Sequence, residues 1–131
     1  MRLRPYQPGE EPKLWDLYQR LGKTGQTEQQ WLARLRVSEP FVVEYGDQVI
    51  GYANLDGEGV IDHFFVRESW QGRGIGTLLM ERVHRHAASH GLRTLTALVC
   101  RESQPFFARW GFLPEPGPDL GENHFMRKTL S

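Results

Sequence analysis

The sequence predicts a mixed α/β (α+β) fold with a mostly antiparallel central sheet flanked by helices, in one domain over residues 1–131. Strand-like and helix-like segments alternate along the chain, hairpin turns join the middle strands, and a glycine-rich corner leads from a strand into an amphipathic helix. A strand, helix and strand in that order form a βαβ crossover. A chain of 131 residues suffices for one ordinary domain but not for two.

The first part of the chain is predicted to form a short strand and two helices. Pro5 confines the strand Met1–Tyr6 to a sheet edge, because proline donates no ladder hydrogen bond. Apolar residues at helical spacing predict a helix over Glu11–Leu21. The same spacing predicts a second helix over Thr27–Val37, which opens with the Thr-x-x-Gln pattern of a capping box.

Three strands of an antiparallel meander are predicted next. Phe41–Tyr45 and Gln48–Leu55 flank the pair Gly-Asp, which is typical of a tight hairpin turn. Asp56–Gly59 supplies the following turn, and Val60–Val66 is predicted as the third strand. That strand leads directly into the glycine-rich corner.

The last part of the chain is predicted to alternate helix and strand. The helix after the corner has one apolar side and ends at Gly91. Leu95–Val99 is apolar enough for a strand buried on both faces. Pro105–Trp110 is predicted as a short helix, Pro114–Gly121 as a loop rich in proline and glycine, and His124–Leu130 as the final strand.

The glycine-rich corner is the most informative segment. It reads Gln71-Gly72-Arg73-Gly74-Ile75-Gly76 and opens a helix. The first N–H groups of a helix have no partner within the helix and carry partial positive charge, so a bare corner there favours an anion, most often phosphate. The nucleotide-binding patterns Gly-x₄-Gly-Lys-Ser/Thr and Gly-x-Gly-x-x-Gly do not match.

The composition of the chain argues against some classes of binding partner and indicates a cellular compartment. A formal net charge of zero, with basic residues spread along the chain, argues against nucleic-acid and membrane-surface binding. Cys100 is the single cysteine and precludes an intrachain disulfide, which is typical of a reducing compartment. The N-terminus lacks an apolar signal core, and no apolar run approaches membrane-spanning length. We therefore expect a cytoplasmic protein.

The corner resembles the pyrophosphate loop of the GNAT superfamily of acyl-coenzyme-A-dependent N-acyltransferases, Gln/Arg-x-x-Gly-x-Gly/Ala. Two flanking segments strengthen the resemblance: Phe64–Ser69 is similar to the family's strand end before the loop, and Phe106–Phe112 to its closing helix. The predicted element order is similar to the GNAT fold over nearly the whole chain.

The resemblance implies an N-acetyltransferase that uses acetyl-coenzyme A, with direct attack by a bound amine in a ternary complex. It implies that backbone groups of Phe65 and Val66 pair with the pantetheine arm and that the thioester lies between the strands ending at Val66 and Cys100. The acceptor is expected to be a small-molecule or peptide amine, and a homodimer is compatible with the family. The implied cofactor-binding residues are Phe65, Val66, Gln71, Gly72, Arg73, Gly74, Ile75, Gly76, Thr77, Phe106, Phe107 and Arg109.

The catalytic groups depart from the family pattern. Phe107 stands where many members have the tyrosine that protonates the leaving thiolate. Either no acid is needed, or Ser103, Cys100 or water supplies the proton. Asp62 is the favoured carboxylate, as a base through water or as an amine-binding charge. It is preferred over Glu58 and His63. Tyr52, Asp62 and His63 are the candidate substrate-binding residues.

Two further expectations concern metals and rival functions. His86 and His90 lie one helical turn apart, with His84 nearby, but no third ligand is evident in the sequence, so we expect no metal. The loss of the usual acid at Phe107 leaves open a non-catalytic coenzyme-A-binding module. An interaction protein that kept the fold and lost the cofactor is disfavoured by the intact glycine corner.

Overall fold

The strands form two four-stranded sheets in the computed structural model, which describes residues 1–22, 25–117 and 123–131. The first sheet has the order β1-β2-β3-β5 and the second the order β4-β6-β8-β7. The strands are β1 (Arg2–Pro5), β2 (Ser38–Tyr45), β3 (Gln48–Asp56), β4 (Val60–Ile61), β5 (Phe64–Val66), β6 (Thr94–Cys100), β7 (Leu113–Pro114) and β8 (Asn123–Thr129). The α-helices of the described residues are α1 (Glu11–Leu21), α2 (Glu28–Arg36), α3 (Ile75–Ser89) and α4 (Gln104–Arg109).

This architecture confirms the predicted fold class. All neighbouring strands of the first sheet are antiparallel, and in the second sheet only β4 and β6 run parallel. Helix α3 connects β5 of the first sheet to β6 of the second. The predicted single central sheet is thus divided in two along the gap between β5 and β6.

The prediction of a continuous third strand over Val60–Val66 was wrong, and the division of the sheet is the reason. Val60 and Ile61 pair with β6, whereas Phe64–Val66 pair with β3. Between them, the side-chain Oδ1 of Asn54 accepts the backbone N–H groups of Asp62 at 3.0 Å and His63 at 2.7 Å. The Asn54 side chain therefore satisfies two backbone N–H groups at the point where the chain changes sheets.

The bounds of α1 and the start of α2 match the local signals, whereas the bounds of two strands differ from the prediction. Helix α1 has its predicted bounds, and Thr27 caps α2 in a capping box with Gln30, as predicted. Strand β2 begins at Ser38, before the predicted start, because pairing with β3 extends to that residue. Pro114 belongs to β7 and not to the predicted loop, of which residues 118–121 lie outside the described residues.

Two apolar clusters hold the layers together. One lies between α3 and the sheets and contains residues such as Ile50, Leu79 and Phe112. The other lies under α1 and α2 and contains Trp31 and Tyr52. Fully burying one large apolar side chain contributes about 1.5–3 kcal/mol, so these clusters supply most of the stabilisation. No helix within the described residues is both long and apolar enough to cross a membrane.

Candidate functional site

A cavity of about 720 Å³ opens between β5 and β6, where the two sheets separate. Its wall includes the last residue of each of these strands, Val66 of β5 and Cys100 of β6. The glycine corner and the start of α4 also line it. Among the described residues, β5 makes a ladder with β3 and not with β6, so its other edge faces this cavity. An unpaired strand edge is a ready partner for an extended, amide-containing ligand.

The pairing register shows which backbone groups of β5 face the cavity. Arg67 N–H donates to the Ile50 carbonyl at 2.8 Å, and Asn54 N–H donates to the His63 carbonyl at 3.1 Å. Hydrogen-bonded pairs alternate along antiparallel strands, so the backbone groups of Phe65 also face β3. Those of Phe64 and Val66 face the cavity. The Phe65 backbone, predicted to pair with a ligand, therefore faces β3, although the Phe65 side chain does line the cavity.

The glycine corner presents three N–H groups at the start of α3. Leu78 is the first residue whose N–H bonds back along the helix, to the Gly74 carbonyl at 3.1 Å, which leaves the N–H groups of the three residues before it without a helical acceptor. Gly72 and Gly74 have φ of 77° and 85°, a conformation that favours glycine, and a Cβ at either would enter open space. The corner is therefore shaped to hold an anion.

Side chains around the corner hold it in place. Gln71 Nε2 donates to the Val66 carbonyl at 3.0 Å and so ties the turn to β5. A Cβ on Gly76 would lie 3.3 Å from the Phe106 ring, so glycine at this position permits α3 and α4 to approach closely. Arg73 places its guanidinium 5.2 Å from the centre of the Trp70 ring. That cation–π contact holds the Arg73 charge beside the corner.

Most of the residues predicted to bind the cofactor line this cavity. The two exceptions are Arg73, which lies on Trp70, and Ile75, whose side chain is buried in the core against β3. Ile75 can contribute only its backbone N–H. The residues on the wall are Phe65, Val66, Gln71, Gly72, Gly74, Gly76, Thr77, Phe106, Phe107 and Arg109.

The end of the cavity near α4 contains the candidate proton donors. Phe107 is buried and packs edge-on against Phe64 and Phe112, so it closes the wall with an apolar ring. Ser103 and Cys100 both line the cavity, and the Cys100 Sγ–H donates to Ser103 Oγ at 3.4 Å. The structure thus brings the two sequence candidates for the acid into contact with each other.

Asp62 lines the cavity and is bound by Arg34 from α2. Arg34 Nε and Nη2 lie 2.7 and 2.6 Å from Asp62 Oδ2, and Nη2 also donates to Asp56 Oδ2 at 2.7 Å. Burial raises the pKa of the Asp62 carboxyl above its ordinary value, and the hydrogen bonds from Arg34 partly offset this. Two carboxylates share one guanidinium, so the group carries net negative charge when both are ionised.

Tyr52 and His63, two of the residues predicted to contact the substrate, lie behind the cavity wall and not on it. Tyr52 is fully buried, its hydroxyl accepts the Trp31 indole N–H at 2.9 Å, and burial raises its pKa above the usual range. His63 is 1% exposed and its ring lies against those of Trp31, Tyr52 and Phe65. Burial, with a smaller effect of the Arg34 charge, lowers the His63 pKa to about 3, so its ring is neutral at pH 7.

Sequence reasoning missed three residues that shape the site. Asn54 holds the backbone at the division of the sheet, Arg34 binds Asp62, and Trp70 lines the cavity beside the corner. Asn54 gave one usable signal, because a polar amide within an apolar strand usually has a specific hydrogen-bond partner. Arg34 and Trp70 gave no such signal.

Comparison with known proteins identifies related chains. The model of the family described as acetyltransferase (GNAT) domain matches residues 12–127. No curated protein matches the sequence significantly. A GCN5-related N-acetyltransferase structure from Rhodopseudomonas palustris is 23% identical, with 98% of this chain and 95% of that chain covered and a TM-score of 0.78.

Two further structures are similar in fold at lower identity. A GNAT family acetyltransferase from Elizabethkingia anophelis, with acetyl-CoA bound, is 18% identical with a TM-score of 0.75, and 98% and 97% of the chains are covered. An aminoglycoside 6′-N-acetyltransferase complexed with coenzyme A is 14% identical with a TM-score of 0.82, over 98% and 97% of the chains.

Proposed function

The chain belongs to the GNAT family of acetyltransferases, and we propose that residues 1–131 act as one domain that transfers an acetyl group from acetyl-coenzyme A to a primary amine. The observation that carries this proposal is the glycine corner at the mouth of the cavity. Three helix N–H groups converge there beside an open strand edge. That combination matches a ligand with a diphosphate at one end and an amide-containing arm at the other.

The described residues suit such a ligand along its length. The N–H groups of Ile75, Gly76 and Thr77 would hold the pyrophosphate, with the Arg73 charge close by. The outward backbone groups of Phe64 and Val66 would pair with the pantetheine amides. When bound, acetyl-coenzyme A supplies the thioester carbonyl that the amine nitrogen attacks directly. The bound structure of the Elizabethkingia relative supports this cofactor.

We assign the acceptor side of the cavity to Asp62. Its carboxylate is held in place by Arg34, and the negative charge shared with Asp56 attracts an ammonium group. A carboxylate there can also accept the proton that the ammonium must lose before attack, directly or through water. The raised pKa of Asp62 makes it a better base than an exposed aspartate.

Ser103 is the proposed proton donor to the leaving thiolate, with Cys100 next to it. Phe107 has no exchangeable proton, whereas Ser103 and Cys100 contact each other on the cavity wall. The acceptor class that we favour is a small-molecule amine, because the structurally similar aminoglycoside acetyltransferase acts on one.

A cytoplasmic location and a homodimer remain predictions, the first supported by the single cysteine.

The first test is calorimetric titration of the protein with acetyl-coenzyme A, and with adenosine fragments that lack the pyrophosphate. We expect saturable binding that depends on the pyrophosphate. An absence of binding at millimolar acetyl-coenzyme A would contradict the proposal. Binding followed by no thiol release with any amine tested would instead support a non-catalytic coenzyme-A-binding module, which Phe107 in place of the usual acid already suggests.

The role of Asp62 is tested with an amine that supports thiol release. Asp62→Asn is expected to lower kcat/KM for the amine by about tenfold or more, with acetyl-coenzyme A affinity unchanged. Glu58→Gln is the matched control, because Glu58 is exposed and lies outside the cavity wall. Equal activity of wild type and Asp62→Asn would remove Asp62 from the reaction.

A further inference from the structure

A second cluster of possible metal ligands lies at the C-terminal end of α3. His86 and His90 are one turn apart, and the structure places Glu39 of β2 beside them. The ligand atoms of the three side chains all lie within 4.8 Å of one another. The sequence offered no third ligand for this histidine pair, since Glu39 is distant along the chain, and the expectation of no metal rested on that lack.

The distances suit a first-row transition metal. His86 Nδ1 lies 3.7 Å from Glu39 Oε2. Two ligands on a tetrahedral zinc ion with bonds of about 2.1 Å are separated by roughly 3.4 Å. The imidazole rings of His86 and His90 have centres 4.0 Å apart. Small side-chain rotations of an exposed histidine and an exposed glutamate therefore bring all three ligand atoms to bonding distance.

Hydrogen bonding prepares His90 as a ligand. Its Nδ1 lies 3.0 Å from the His86 carbonyl oxygen and 3.1 Å from Ser89 Oγ. A carbonyl oxygen only accepts, so Nδ1 carries the proton and Nε2 has the free lone pair. Metal-binding histidines are commonly oriented in this way, by donation from the other ring nitrogen to a backbone carbonyl.

The surroundings are distinct from the acetyl-transfer site. The three residues line a separate cavity of about 380 Å³ that shares no wall residue with the larger one. The partial negative charge at the C-terminus of α3 favours a cation, while Arg36 on the cavity wall and Arg82 near His86 oppose one. The Glu39 carboxylate supplies compensating charge, and Asp56, which also lines this cavity, is bound by Arg34.

We propose that Glu39, His86 and His90 bind one divalent transition-metal ion of the zinc class, with water in the fourth position. Two imidazoles and one carboxylate favour Zn²⁺, Co²⁺ or Ni²⁺ over Mg²⁺ and Ca²⁺, which prefer oxygen ligands. The ion joins the end of α3 to the start of β2. Its role is structural, because it ties the helix that begins with the glycine corner to β2, an inner strand of the first sheet.

The test uses the metal-free full chain titrated with Co²⁺, followed by visible absorption of the tetrahedral complex and by competition with Zn²⁺. We expect one bound ion and a raised unfolding temperature in Zn²⁺. Glu39→Gln is expected to weaken binding by about tenfold or more, and His90→Gln still further. Glu81→Gln, an exposed glutamate on the same helix, is the matched control.

Both ligand variants change exposed side chains, and their unfolding temperatures without metal show whether the fold is intact. Zn²⁺ binding that is unchanged in Glu39→Gln and His90→Gln would overturn the proposal. So would binding that is lost in Cys100→Ser, or a rise in unfolding temperature as large with Mg²⁺ as with Zn²⁺. Acetyl-transfer activity is not needed for any of these measurements.

Discussion

Asn54 and His63 are joined by the oxygen and the nitrogen of the Asn54 side-chain amide and by a backbone hydrogen bond. Asn54 Oδ1 accepts the His63 N–H at 2.7 Å, Asn54 Nδ2 lies 3.2 Å from His63 Nδ1, and the Asn54 N–H donates to the His63 carbonyl at 3.1 Å. Both residues are essentially inaccessible to solvent. This pair fixes the place where the chain leaves the second sheet for the first, next to β5.

Replacement of Asn54 by alanine is expected to destabilise the protein by about 2–4 kcal/mol, because it leaves buried N–H groups of Asp62 and His63 without acceptors. Affinity for acetyl-coenzyme A should fall as well, since β5 loses its support. Urea unfolding and calorimetry check the two effects. Ser38→Ala, which removes one peripheral hydroxyl hydrogen bond, is the control, and equal stability of the two variants would contradict the role of Asn54.

Gly74→Ala and Gly46→Ala form a matched pair. Both glycines have positive φ, at 85° and 61°, and a Cβ at either meets open space, but Gly46 lies in the β2–β3 hairpin. Each substitution should cost about 1–2 kcal/mol of stability from backbone strain. Gly74→Ala alone should weaken acetyl-coenzyme A binding, by about tenfold, because its Cβ crowds the anion position. Equal affinities for both variants would place the phosphate site elsewhere.

Tyr52→Phe distinguishes a buried support from a substrate contact. Loss of the hydroxyl leaves the Trp31 indole N–H without its buried acceptor and should cost about 1–3 kcal/mol in unfolding free energy. KM for the amine should not change, because Tyr52 is not on the cavity wall. Tyr45→Phe, at an exposed tyrosine, is expected to leave both quantities unaltered. A rise in KM for Tyr52→Phe alone would identify Tyr52 as a substrate contact.

Stability should fall as pH falls below neutrality, because His63 is neutral in the folded protein. Its pKa is lowered to about 3 from an ordinary value of 6.5. Between those pH values the unfolded chain binds a proton at His63 that the folded chain does not. The contribution of His63 to the free energy of unfolding is therefore complete above about pH 6.5 and is lost toward pH 3. The expected loss from His63 between pH 7 and pH 5 is about 2 kcal/mol.

The pH dependence is measured by urea unfolding of wild type and His63→Gln at pH 7 and pH 5. The pKa values of His84 and His86 are also lowered, chiefly by burial, and act in the same direction in both proteins. The difference between the two pH dependences therefore isolates His63. Parallel dependences would show that His63 can be protonated in the folded state.

The sequence alone predicted the elements whose signals lie within a few residues. Helix α1 follows from apolar spacing, the start of α2 from Thr27 and Gln30, and the anion-binding corner from three glycines before an amphipathic helix. Each depends on contacts along one turn of chain, so the residues that create the structure are neighbours in the sequence. The family resemblance rested on the same local segments.

Tertiary structure decided everything that joins distant residues. The end of strand β4 after Ile61 depends on Asn54 in another strand. The ion pair of the Asp62 carboxylate depends on Arg34 of α2. The sequence placed Tyr52 on a strand but did not show what covers that strand. Tyr52 was predicted to contact the substrate, and it lies under α2 against Trp31. Periodicity records local geometry, whereas burial, ion pairs and ligand clusters arise only when separate elements pack together.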